Sequence, residues 1–124
     1  MILGIGVDII EIERISKAVN RNKRFLEKVL DKKEIEYLQS RNMRMEYIAG
    51  RFAAKEAVSK ALGTGFKNFG PKDICIFNSE SGKPNAILKG NAKTYAENFG
   101  KYKIHLSISH SYKDAIAYAI LERC

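Results

Sequence analysis

The chain predicts an α+β fold in which helices pack on a mainly antiparallel sheet, and three observations carry that prediction. Apolar residues recur at helical spacing through most of the first half, the last third alternates apolar with polar, and the connections between these segments are short. A length of 124 residues suits one domain, residues 1–124. Such a domain holds a core but is small for an enzyme that encloses a large ligand alone.

The first element is a strand, Met1-Ile-Leu-Gly-Ile-Gly-Val-Asp8-Ile-Ile. Period-two alternation puts Leu3, Ile5, Val7 and Ile9 on one face and Ile2, Gly4, Gly6 and Asp8 on the other. Glycine weakens a strand and marks a place where a ligand or another backbone comes close, so the aspartate's face is cleared for an occupant. Ile12, Ile15 and Val19 mark an amphipathic helix, which Phe25, Leu26, Val29 and Leu30 continue or restart after Asn22. Asp31 followed by Glu34 has the form of a capping box, and Ile35 and Leu38 give the next short helix its apolar side. A longer helix runs from about Met45 to Leu62 and stops at Gly63-Thr-Gly65. Ile74 to Phe77 and Ala86 to Leu88 read as strands, and Asn91 as the cap of a helix closing at Phe99-Gly100. Ile104, Leu106 and Ile108 then alternate with His105, Ser107 and Ser109. A turn at Ser111 to Asp114 leads into Ala115 to Leu121 and predicts a terminal hairpin.

Composition narrows the function classes. Hydrophobic residues at 45% with two prolines indicate a compact globular chain, and no apolar stretch approaches membrane-spanning length. Ile2 to Ile10 lacks the basic n-region and small-residue cleavage site of a signal peptide. Cys75 falls in a strand and Cys124 is terminal, a spacing that fits neither a metal knuckle nor a disulfide framework. The expectation is a cytoplasmic protein with reduced thiols and no membrane association. The net charge is +8, and Arg14, Lys17, Arg21, Lys23 and Arg24 form a basic run with no acidic residue between them. Such a run is often only a solvated face; as a binding patch it suits nucleic acid, an acidic protein or a phosphate-rich ligand. No RNA-recognition signature, zinc-finger spacing or aromatic stacking series accompanies it, which disfavours nucleic acid.

The chemistry concentrates on two carboxylates, Asp8 and Glu56. On the helix Arg51-Phe-Ala-Ala-Lys-Glu56-Ala-Val-Ser-Lys60, residues turn by about 100° each. Gly50, Ala53, Ala54, Ala57 and Ala61 therefore form a stripe of small residues suited to close packing, with Glu56 and Lys60 on its shoulder. Alone, Glu56 and Lys60 read as a solvated i,i+4 pair, and a strand-end aspartate as a cap or turn residue. Gly4-Ile-Gly6 lacks the rest of a dinucleotide fingerprint, no Walker-type Gly-Lys-Ser/Thr occurs, and two histidines make no zinc cluster. What remains is a hard-cation site beside lysine and arginine, the setting in which magnesium meets phosphate.

Four blocks carry a resemblance: Gly4-Ile-Gly-Val-Asp8-Ile-Ile-Glu-Ile-Glu-Arg14-Ile, Ala49-Gly-Arg-Phe-Ala-Ala-Lys-Glu56-Ala-Val-Ser-Lys60-Ala, Gly82-Lys-Pro84 and Ser107-Ile-Ser-His110-Ser. In order and approximate spacing they closely resemble the holo-acyl-carrier-protein synthase family of small 4'-phosphopantetheinyl transferases. The resemblance implies that family's fold and its reaction, transfer of 4'-phosphopantetheine from coenzyme A to a serine of apo acyl carrier protein with release of adenosine 3',5'-bisphosphate, a step in fatty acid biosynthesis. It implies that Asp8 and Glu56 hold Mg2+ at the pyrophosphate and that Lys60 sits over the same phosphates. The base for the serine is left open between Asp8 and Glu56, acting through water. His110, Gly82, Lys83, Pro84, Arg51 and Arg44 are implied at coenzyme A, and Arg14, Arg21 and Arg24 at the acidic carrier protein. The family further implies a homotrimer with active sites between neighbouring subunits. Larger relatives commonly have a further acidic residue two positions after the strand aspartate, where this chain has Ile10, so it supplies two carboxylates.

Overall fold

The computed structural model describes residues 1–124. Its elements are β1 (Ile2–Glu11), α1 (Ile12–Arg21), α2 (Phe25–Val29), α3 (Lys32–Ser40), α4 (Met45–Ala61), β2 (Ile74–Asn78), β3 (Pro84–Leu88), α5 (Gly90–Glu97), β4 (Tyr102–His110) and β5 (Asp114–Arg123). All strand pairing is antiparallel, in a three-stranded sheet ordered β1-β5-β4 and a two-stranded sheet β2-β3. The fold class is the α+β arrangement that the alternating and helical segments predict.

Helix α4 is the centre of the molecule. A helix buried on nearly every side must be apolar or small nearly all round, and here Ile48, Ala49, Gly50, Ala53, Ala54, Ala57, Val58 and Ala61 are all buried. One side packs with Leu106 of β4 and Ala117, Ala119 and Leu121 of β5. The other packs with Ile15, Leu30 and Leu38 from the layer of α1, α2 and α3. Small residues on both partners let the helix approach the sheet closely. A methyl group at Gly4 or Gly6 would overlap the carbonyl oxygens of Ala61 and Ala57, so the glycine face of β1 is filled by α4 backbone. The occupant cleared for by the two glycines is therefore the helix.

The opposite face of β1 is turned outward. Ile5, Val7 and Ile9 are 59%, 46% and 64% exposed. They pair across β5 with Ile120, Tyr118 and Ile116, which makes one continuous apolar face on the sheet. The clean alternation of β1 thus places the larger side chains outside, because the side that meets α4 has room only for glycine.

Two termini show how local chemistry sets the remaining elements. Asp31 Oδ1 accepts from the Glu34 N–H at 2.8 Å while Glu34 Oε1 accepts from the Asp31 N–H at 3.1 Å, the reciprocal box that starts α3. Asn91 does not cap α5. Lys89 is the N-cap residue, Gly90 enters at φ +53°, and the Asn91 amide instead donates to the Asn68 carbonyl at 3.0 Å.

Candidate active site

Asp8 and Glu56 reach one cleft from different elements. Because Gly4 and Gly6 let α4 lie on β1, Lys60 Nζ stands 3.2 Å from Asp8 Oδ1 and donates to the Val7 carbonyl at 3.0 Å. Lys60 therefore reaches across to the strand, and its ion pair is with Asp8. The i,i+4 pairing with Glu56 suggested by helical spacing is replaced by this longer-range contact. The cleft, about 500 Å³, is lined by Asp8, Glu56, Lys60 and Arg14 on its polar side. Its apolar wall includes Phe25 of α2 and Phe52 of α4, which also stack with centroids 5.1 Å apart at 15°.

The electrostatics of this cleft favour a cation. Burial, and then the charge of Asp8, hold the Glu56 carboxyl above its usual range, while Lys60 pulls the other way. A carboxyl held up by a neighbouring carboxylate's charge gains from a positive charge placed between the two, and their hard oxygens suit magnesium. The residues thus fit the metal that the sequence blocks imply.

The group of three whose ligand atoms lie within 4.8 Å of one another is elsewhere, at Asp31, Glu34 and Cys75. Its atoms are already engaged with each other and with buried donors. Lys55 Nζ, 1% exposed as a side chain, donates to Glu34 Oε1 at 2.8 Å and to the Pro71 carbonyl at 2.9 Å. Glu34 Oε2 accepts from the Ile76 N–H at 3.0 Å. Burial and the Asp31 carboxylate push the Cys75 thiol up to about 11, so it stays protonated and donates to Asp31 Oδ2 at 3.0 Å. This cluster ties α3, α4 and β2 together, and it explains why a lysine stands at position 55 beside Glu56: a buried ammonium must be fully hydrogen-bonded.

A second cavity, about 350 Å³, opens between α3, the first turns of α4, the β2–β3 hairpin and the end of β4. Arg51, 4% exposed, lies at its floor and donates from Nη2 to Asn78 Oδ1 at 2.9 Å. Gly82 and Pro84 line the hairpin side; His110 lines the far end and meets Tyr47 edge-on at 5.9 Å and 82°. Lys83, between Gly82 and Pro84, is exposed and does not line the cavity. Arg44 is also outside the lining: it is the N-cap of α4, with Nε 2.8 Å from Glu46 Oε1. The place expected of Arg44 is taken by Arg41, which does line the cavity, together with Tyr37. Sequence reasoning passed over both, although their i,i+4 spacing, from Tyr37 on α3 to Arg41 at its C-cap, would have signalled an arginine beside an aromatic ring. Arg14, Arg21 and Arg24 are exposed around α1, with Arg14 at the edge of the Asp8 cleft.

Comparison with known proteins agrees with the four sequence blocks. Residues 4–119 match the family model of the 4'-phosphopantetheinyl transferase superfamily. A holo-[acyl-carrier-protein] synthase of Clostridium novyi strain NT is 61% identical over 122 residues, covering 98% of this chain and 88% of its own length. The crystal structure of holo-[acyl-carrier-protein] synthase from Neisseria meningitidis superposes with a TM-score of 0.91 at 30% identity, over 99% of this chain and 100% of that one. The Helicobacter pylori holo-[acyl-carrier-protein] synthase, solved in complex with coenzyme A, gives 0.84 at 38% identity, over 95% of this chain and 99% of that one. Sequence blocks, fold and two polar clefts lead to one conclusion: the chain belongs to the 4'-phosphopantetheinyl transferase superfamily.

Proposed function

We propose that this protein transfers 4'-phosphopantetheine from coenzyme A to a serine of an apo acyl carrier protein, with magnesium, and releases adenosine 3',5'-bisphosphate. The observation that carries this reading is the convergence of Asp8 and Glu56, with Lys60 bridging to Asp8, at one cleft of a superfamily fold. The relatives' common name supplies the carrier, and the coenzyme A complex of the Helicobacter pylori relative supports the donor.

In this reaction the serine oxygen forms a bond to the phosphorus that bears pantetheine, and the bond from that phosphorus to the nucleotide phosphate breaks. Asp8 and Glu56 would hold the magnesium ion, which would supply positive charge to offset that of the pyrophosphate. Lys60 stabilises the negative charge gathered on the departing nucleotide phosphate, the main requirement in a phosphoryl transfer. The serine proton leaves through water to one of the two carboxylates. Arg51 and His110 bind the nucleotide end, with Gly82 and Pro84 shaping the space around it.

A homotrimer with shared active sites fits the placement of these groups. Asp8, Glu56 and Lys60 line one cleft, whereas Arg51 and His110 line another. The exposed apolar face of β1 and β5, with Ile5, Val7, Ile9, Ile116 and Tyr118, offers the surface on which copies would meet. Arg14, Arg21 and Arg24 then receive the acidic carrier beside the Asp8 cleft, by long-range steering as well as contact. No helix is long and apolar enough to cross a membrane.

The test is incubation with apo carrier protein, coenzyme A and magnesium, with the carrier weighed by mass spectrometry. A gain equal to one phosphopantetheine is expected. An unchanged carrier mass at every magnesium concentration would sink the reading.

A further inference from the structure

A third cavity, about 360 Å³, lies on the outward face of the β2–β3 hairpin, beside α3. The strand register builds its floor. Cys75 pairs with Ile87, and Phe77 follows two residues later on the same face, so the hairpin turns an apolar patch outward while Ile74, Ile76 and Leu88 are buried in the core. Phe77 and Ile87 are both exposed, on a different sheet from the apolar face of β1 and β5.

The wall that faces this floor is ionic, and its charges do not cancel. Asp31 Oδ2 is paired with Lys89 Nζ at 3.2 Å, and Glu34 Oε1 with Lys55 Nζ at 2.8 Å. Two lining cations remain, Lys33, one turn before Tyr37 on α3, and Arg51; neither has a carboxylate within ion-pair distance. Lys33 is exposed, whereas Arg51 is almost wholly buried. Arg51 Nη2 donates to Asn78 Oδ1 at 2.9 Å and its Cζ lies 4.5 Å from the Tyr37 centroid, but its Nε has no hydrogen-bond partner. A buried donor without an acceptor is costly unless a ligand supplies one. Tyr37, Arg51 and Asn78 line both this cavity and the one that holds His110, so they form the partition between the two. Arg41, Gly82, Pro84 and His110 line only the other side.

We infer that the third cavity binds an apolar carboxylate, with an aliphatic tail on Phe77 and Ile87 and the carboxylate held by Lys33 and Arg51. An apolar lining with a few convergent polar groups is the usual make-up of a small-ligand site, and the volume lies within the range of about 300–1,000 Å³ found for such sites. Charge selects a monoanion. Lys33 and the Arg51 Nε offer charge-assisted hydrogen bonds to one carboxylate, whereas Asp31 and Glu34 on the same wall would repel the second charge of a dianion. Because Arg51 serves both cavities, a carboxylate on its Nε lowers the positive charge offered to a nucleotide on the other side. The two ligands therefore oppose each other, and by equal factors. This coupling rests on the coenzyme A reading; the site itself does not.

The test titrates octanoate, hexanoate, 1-octanol and acetate calorimetrically into the full chain. Octanoate is expected to bind saturably, and hexanoate about tenfold more weakly because two methylenes are lost. Octanol, which lacks the charge, should bind at least about tenfold more weakly than octanoate, and acetate, which lacks the tail, should give no measurable heat. Ile87→Glu and Lys33→Glu change exposed positions, so both should melt as wild type does while each weakens octanoate at least about tenfold. Absence of octanoate binding overturns the inference, as does octanol binding as tightly as octanoate. Undiminished octanoate binding by Ile87→Glu would place the ligand on another apolar surface and overturns it equally. Adenosine 3',5'-bisphosphate titrated with and without saturating octanoate reads the coupling, with affinity expected to fall at least about fivefold. An unchanged affinity overturns Arg51 as a ligand of the carboxylate. If wild type modifies no carrier, the octanoate titrations still decide the site, and the functional reading fails alone.

Discussion

Asp8 and Lys60 form an ion pair that stays partly open to water, with side chains 20% and 50% exposed. Such pairs contribute little to stability, at most about 1 kcal/mol. Asp8→Asn should therefore leave urea unfolding within about 1 kcal/mol of wild type while lowering transfer at least about a hundredfold, because it removes one of the two proposed metal ligands. A variant with near wild-type transfer would take Asp8 out of the site. Asp31 gives the opposite case, a carboxylate whose work is structural. Burial pushes its pKa up, but the Cys75 thiol, the Glu34 N–H and Lys89 outweigh this and hold it down to about 2. A folded pKa below the unfolded one means stability that is fully present above about pH 4 and drains away as pH falls toward 2. In Asp31→Asn that component is absent, so its stability should be lower than wild type at pH 6 and the gap should close between pH 4 and pH 2. Thermal melts across that range check the sign.

The packing of α4 on β1 is where residue types act as a pair of surfaces. A side chain added at Gly6 must displace the Ala57 carbonyl, which the helix cannot move without losing its own hydrogen bonds. Gly6→Ala should cost about 3 kcal/mol or more in urea unfolding and should lower transfer as well, because Asp8 is carried on the same strand. Both surfaces were legible in the chain: the glycines of β1 and the alanine stripe of α4 each announced a close approach. Their mutual fit was not, since periodicity assigns faces within an element and says nothing of which element lies opposite. The same gap left open which face of β1 meets the core, and Ile5, Val7 and Ile9 lie outside. Asp8, Glu56 and Lys60 were readable as a trio because their blocks are local. Arg41 was not, because its place in the second cavity depends on a left-handed turn at Asn42 and Met43, and although Asn favours that conformation, nothing in the sequence puts Met43 there. The capping box of α3, in contrast, is set by two side chains three residues apart and was read directly.

At the scale of the whole molecule, the metal-seeking cleft and the cationic cavity have different linings, and a large exposed apolar face runs across β1 and β5. In a cyclic trimer each heterologous contact can bring the cavity of one copy to the cleft of the next, so every complete site draws on two chains. That arrangement makes complementation the decisive measurement. Asp8→Ala should be inactive through its cleft, and the double variant His110→Ala with Arg51→Gln should be strongly impaired through its cavity. Mixed under conditions that allow subunits to exchange, the two form sites in which an intact cleft faces an intact cavity. With equal amounts and random assembly, about one site in four is of this kind, so activity should return to about a quarter of the wild-type level. Sites confined to single chains would show no recovery on mixing. Val7→Lys supplies the companion measurement, because a charge on the apolar face should give a folded monomer by light scattering that does not complement either partner.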